Sequence, residues 1–155
     1  MTPDLLFSYA GLVAAIGWAV LIMAPRRWSG LNALALWVIP TGLASVYALI
    51  VLSRFSGTGG GFGSLSEVAT LMSNDWVLLA GWIHFLAFDL FVGAVMAARM
   101  DRAGVGRVIQ APILFATFML GPIGFLIAGL TELGLRARLL PVHSKSQNGA
   151  FNVAA

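Results

Sequence analysis

Apolar residues in this chain come in long unbroken runs, and short clusters of arginine, proline and glycine separate the runs. Four runs reach the roughly 20 residues that a helix needs to cross a hydrocarbon core of about 30 Å. They predict helices at about 5–24, 31–52, 76–98 and 108–135. The first is closed by Pro25-Arg26-Arg27-Trp28, the second by Ser53-Arg54 and the third by Arg99-Met100-Asp101-Arg102. The fourth runs on through Thr131-Glu132 to Arg136 and Arg138. Ten-residue alternating segments, the mark of a membrane β-barrel, are absent. The pattern therefore predicts an all-α integral membrane protein, a four-transmembrane-helix bundle filling residues 1–140 as one domain. A glycine-rich loop over 53–75 joins the second and third helices, and the polar tail 141–155 is expected to be disordered.

Within that loop, Ser56-Gly57-Thr58-Gly59-Gly60-Gly61-Phe62-Gly63 resists helix formation, because glycine gives up the most backbone freedom on ordering. Ser64 and Glu67 then form a capping-box pattern, which predicts a short interfacial helix or a lid. The glycines lack the strand and the Lys-Ser/Thr pair of a phosphate loop.

Composition agrees with the runs. Charged residues make up 10% of the chain, against roughly a quarter in a soluble domain. The net charge of +3 comes from basic residues at the ends of apolar runs, where membrane topology and lipid headgroups account for them. No basic, aromatic-studded face is present, so no nucleic-acid partner is expected; the surroundings are membrane lipid. The absence of cysteine excludes disulfides, thiolate metal sites and a cysteine nucleophile. Met1-Thr2-Pro3-Asp4 carries no basic leader, so the first run reads as a retained helix. In a four-span bundle, five basic residues (Arg26, Arg27, Arg99, Arg102, Arg107) face four (Arg54, Arg136, Arg138, Lys145). This bias puts the first and third loops in the cytoplasm and both termini outside it.

The chemistry concentrates in Gly81-Trp82-Ile83-His84-Phe85-Leu86-Ala87-Phe88-Asp89-Leu90-Phe91-Val92-Gly93. Ionisable groups at membrane depth cost several kcal/mol and commonly mark function. His84 and Asp89 are five residues apart, about 140° around a helix, so each needs a partner from elsewhere. Asp89 reads either as a catalytic or ligand-binding acid or as a neutral structural acid bonded across the bundle. His84 reads as a proton acceptor or relay, or as a packing histidine. Small Gly93 and Ala97 invite close approach of a neighbouring helix.

In the fourth run, Pro122 removes a backbone donor and kinks the helix. Gly121 and Gly124 bring backbone close to whatever packs there, and the kink either serves packing or opens a cavity opposite Asp89 lined by Thr117. Tyr47, Tyr9, Trp18, Trp37 and Trp82 are candidate walls of an apolar pocket. Trp28 and Trp76 suit the interfacial belt. Thr41 and Ser45 suit bonding back to their own helix. A metal set of His84, Asp89 and Glu132 is disfavoured, because Glu132 falls near the long loop, some 10 Å or more in depth from His84. A lone histidine does not specify haem either, so no metal or cofactor is expected.

The run around His84 and Asp89, together with Pro112-Ile113-Leu114-Phe115-Ala116-Thr117-Phe118-Met119-Leu120-Gly121-Pro122-Ile123-Gly124, resembles the two signatures of the abscisic-acid-deficient-4-like membrane family. Ala24-Pro25 with Trp28, and Pro40 with Tyr47, fit that family's first hairpin more loosely; the likeness covers roughly residues 5–130. The family usually shows Pro-Cys where this chain has Pro112-Ile113, and Pro-His where it has Gly106-Arg107. No transit peptide precedes the first helix, which favours a bacterial homologue in an inner membrane. Plant members are neoxanthin synthases, so the resemblance implies a carotenoid or apocarotenoid partner and an isomerisation that opens an epoxide to an allene. Such chemistry needs an acid, a base and a dry slot. The resemblance assigns Asp89 as acid and His84 as base or relay, with Trp82, Phe85, Phe88, Thr117, Gly121, Pro122 and Tyr47 around the substrate. Two other classes stay open: a carotenoid- or retinoid-binding protein without turnover, and a structural subunit of a biosynthetic complex. A homo-oligomer also stays open.

Overall fold

The computed structural model describes residues 2–25 and 27–139, with side chains described through Leu135; the expected polar tail lies outside the described residues. All regular elements among them are helices. Helix α1 is Pro3–Met23, α2 is Ser29–Arg54, α3 is Leu65–Met72, α4 is Asp75–Arg102, α5 is Arg107–Leu120 and α6 is Pro122–Leu139.

Three of these are long and apolar enough to cross a bilayer: α1 with 21 residues, α2 with 26 and α4 with 28. Each begins or turns where its sequence requires. Thr2 caps α1 by accepting from the Leu5 amide, and Asn74 caps α4 by accepting from the Trp76 and Val77 amides. Helix α2 opens into a π turn over Leu34–Val38, where the Ile39 amide bonds the Leu34 carbonyl. The widened turn lies just ahead of Pro40, whose ring would otherwise press on the carbonyl four residues back.

Helices α1 and α4 run parallel, and α2 runs antiparallel to both. Phe7 meets Trp82 near the starts of α1 and α4, while Trp18 lies on Gly93 further along. Arg54 sits 4.7 Å over the Trp76 ring at one end of α2, and Trp37 meets Phe91 at 5.7 Å towards the other. Gly93 is what lets α1 approach: a Cβ there would collide with the Trp18 ring, which is itself 2% exposed. Leu90, Ile83, Ala97 and Met100 from α4 fill the centre. Arg107 ties the next segment to α1 by donating to the carbonyls of Ile22 (2.7 Å) and Ala24 (3.0 Å), which the end of α1 leaves open.

The expected fourth span is instead a helical hairpin. Its first arm, α5, has 14 residues, about 21 Å of rise, too short to cross. Gln110 near its start donates to Asp101 at the end of α4, at 2.7 Å. Eleven residues on, Gly121 lies against Asp89, which is twelve residues back from Asp101, so the arm descends antiparallel to α4 to its midpoint. There the chain reverses. Gly124 packs directly on the backbone and hydroxyl of Thr117, and Glu132 reaches back to Arg99, whose Nε donates to it at 2.9 Å. A helix merely kinked at Pro122 would carry Glu132, eleven residues past Gly121, to the level of Leu78. Four spans are thus not what the described residues form, and Glu132 does not lie on the side of the long loop. Hydropathy measures only the amount of apolar chain, and two half-length arms hold as much as one span.

Since the natural chain has no cysteine, single introduced cysteines can check the reversal. Cysteines at Arg102 and Gly134 should react with an impermeant maleimide from one face, and a cysteine at Ser56 from the other. A continuous fourth span would put positions 134 and 56 on the same face.

Candidate functional site

Helix α3 and the loop before it fold over the start of α4. Ser64 caps α3 by accepting from the Glu67 amide at 3.2 Å, and the Glu67 carboxylate reaches back to the Gly63 amide at 3.0 Å. Gly60, at φ +73°, lets the loop backbone lie directly on Glu67 and Leu71, where a side chain has no room. The Gly61 amide adds a bond to the Glu67 carbonyl. The Ser64 half of the capping box read from the sequence is therefore present, the Glu67 carboxylate accepts one residue further back than the box requires, and the segment forms a roof.

Beneath the roof lies a cavity of about 220 Å³ between α2 and α4. Its upper wall is Phe55, Phe62, Leu71 and Met72; its sides include Arg54, Trp76 and Tyr47; His84 and Phe85 close its inner end. Phe55 and Phe62 stack at 6.1 Å. The His84 ring stacks on Phe88 at 4.6 Å and meets Tyr47 at 5.6 Å, and it has no hydrogen-bond partner among the described residues. Imidazole nitrogens that no neighbour occupies, in a mostly apolar cavity that also holds Arg54 and Tyr47, are available to a ligand's polar group.

Asp89 lies about 7.5 Å further along α4 and does not line this cavity. Its carboxylate rests against the tip of the hairpin: a Cβ on Gly121 would come within 2.7 Å of one oxygen and 3.0 Å of the other. The last turn of α5 ends there and the first turn of α6 begins, so the carboxylate sits at the junction of the two arms. It likewise has no hydrogen-bond partner among the described residues.

The residues expected to share one site thus fall into two neighbouring groups. Tyr47, His84 and Phe85 line the roofed cavity, and Phe88 backs the imidazole. Asp89 and Gly121 form the second group, with Pro122 next to them in sequence and exposed. Thr117 is buried, but its hydroxyl donates to the Ile113 carbonyl at 2.9 Å and it contacts Gly124, so it packs the hairpin instead of facing a ligand. Trp82 lines a different cavity across α4 from Tyr47, and Tyr9 and Trp37 are exposed. Arg54, Phe62, Met72 and Trp76 were not anticipated as walls: the folded roof brings in Phe62 and Met72, while Arg54 and Trp76 meet at the ends of α2 and α4 beneath it. The aromatic at 62 inside a glycine run was the one available signal. Ser45 bonds back to the Thr41 carbonyl at 2.8 Å, as such residues do on apolar helices.

The class defined by these features is an intramembrane helical protein with a roofed, mostly apolar cavity and two titratable groups on one long helix, an exposed imidazole and a half-buried carboxylate. The family model for ABA DEFICIENT 4-like proteins matches residues 5–127, and the chain belongs to that family. No characterised protein and no solved structure matches it.

Proposed function

We propose that this protein is a membrane enzyme that isomerises a carotenoid or apocarotenoid, with His84 as the group that meets the substrate. The observation that carries this reading is the roofed cavity with an unbonded imidazole at its inner end. Family membership supports the carotenoid class. At about 220 Å³ the cavity is smaller than the roughly 300–1,000 Å³ that encloses a drug-sized ligand, so it suits one ring end of a long polyene.

In an epoxide-to-allene isomerisation one proton joins the epoxide oxygen as the ring opens, and one leaves carbon as the allene forms. The balance is neutral, and no oxidant or reductant is consumed. His84 takes the proton from carbon. Protonated in that way, His84 returns the proton to the epoxide oxygen; Asp89, which does not line the cavity, acts on the transfer only through its electrostatic coupling to His84, and aromatic walls keep out the water that would add to the cation. The arginine-rich face, with Arg27, Arg99, Arg102 and Arg107 against Arg54 opposite, supports a cytoplasmic position for the hairpin's open end and an external one for the roof.

The test is pigment analysis by chromatography and mass spectrometry in hosts that make β-carotene, zeaxanthin or violaxanthin. A new isomer of unchanged mass should appear with the wild-type protein. Pigment that co-purifies unchanged from every host would make the protein a binder, and no effect with no binding would remove the carotenoid reading.

A further inference from the structure

A second cavity, of about 370 Å³, lies on the other flank of α4. Its walls include Phe7, Leu78 and Trp82, and its outer end carries the carboxylates of Asp4 and Asp75. The two cavities share three lining residues: Met72 from the roof, and Gly81 and Phe85 one turn apart on α4. The ridge dividing them is therefore lowest at Gly81. A Cβ built there meets only the Met72 thioether, with Sδ and Cε each at 3.8 Å, so the divide is a bare backbone under a flexible, polarisable side chain.

We propose that the two cavities are one binding groove that crosses α4 over Gly81 beneath Met72, and that it takes a single elongated apolar ligand with a polar group at each end. This rests on the carotenoid reading and extends it to a hydroxylated, two-ended substrate. One ring end lies against His84, and the polyene passes over Gly81. A hydroxyl at the far end donates to Asp4 or Asp75, whose carboxylates accept hydrogen bonds. Taken together, the cavities fall within the size range of enclosed ligand sites, which the first alone does not reach. Met72 and Gly81 then set the length of ligand accepted.

The proposal is tested with purified protein in nanodiscs, using zeaxanthin as the long, doubly hydroxylated probe and β-ionone as a single ring end. Gly81→Leu raises the divide, Leu78→Trp fills the second cavity alone, and Gly129→Ala, remote from both cavities with nothing within 4 Å of the added Cβ, is the control. Both larger variants should weaken zeaxanthin binding tenfold or more, Leu78→Trp should leave β-ionone within twofold, and Gly129→Ala should change neither. Zeaxanthin bound normally by Leu78→Trp overturns the groove, whatever Gly81→Leu does, and so does equal loss of both probes in Leu78→Trp. If the wild type binds neither probe, the carotenoid reading itself fails. If the wild type binds both and the variants match it, only the groove fails.

Discussion

Alanine at position 124 should leave little folded protein. The hairpin closes because Gly124 has no side chain where it meets Thr117; a methyl group would strike the Thr117 amide, Cα and hydroxyl. The amide and Cα belong to a helix backbone and cannot swing aside as a side-chain tip would. Overpacking of this kind costs about 3 kcal/mol, the upper end of the usual range, which is about a hundredfold in the folded fraction. The same change at Gly129 or Gly134, where nothing lies within 4 Å of an added Cβ, should be neutral or stabilising by up to about 1 kcal/mol. The fraction of monodisperse protein after stepwise heating in mild detergent gives the comparison. Equal stability at 124 and 134 would mean that the two arms do not meet at Thr117.

The second large effect concerns turnover. His84→Ala should lower product formation by about a hundredfold or more, the usual scale for losing a positioned acid or base. Pigment retention should stay near the wild-type level, because Trp76, Phe55, Phe62 and Tyr47 still wall the cavity. Asp89→Asn should fall comparably. Asp89→Glu separates chemistry from position. It keeps the acid but adds a methylene, and the Asp89 oxygens already lie where a Gly121 side chain would be. Glutamate should therefore fail to rescue, and product formed per retained pigment is the measurement. Full activity in Asp89→Glu would show that the carboxyl is not held by the hairpin tip, and undiminished turnover in His84→Ala would remove its assigned role.

Much of this arrangement was legible in the sequence. Runs at 5–24, 31–52 and 76–98 correspond to α1, α2 and α4; α1 keeps nearly the expected length, and α2 and α4 run a few residues longer because their ends take in polar residues and terminal arginines. The Ser64–Glu67 pattern located α3, and Gly93 was correctly read as a point of close approach, met by the Trp18 ring. The reversal at Gly121-Pro122 was not legible from hydropathy, since a kink and a turn share the same composition. The sharper signal was the spacing of Thr117 and Gly124 about Gly121, which fits two arms pressed together better than one bent helix. The site was half legible. Depth singled out His84 and Asp89, but which of them faces a cavity depends on the roof. That roof comes from a segment whose glycines looked like a plain connector.

The hairpin also sets an order on assembly. Among the described residues three helices are long and apolar enough to cross a bilayer, and the chain from Arg107 turns back at Gly121 so that both ends of the hairpin lie beside the end of α4. Asp89 is synthesised and threaded through before Gly121 exists to cover it. Until the last arm folds up, its carboxyl faces lipid, where the neutral acid is by far the cheaper form. The closing of α5 and α6 is therefore the event that replaces lipid with backbone around this group. A chain halted after α4 would hold the roofed cavity with its imidazole and lack the setting of its acid.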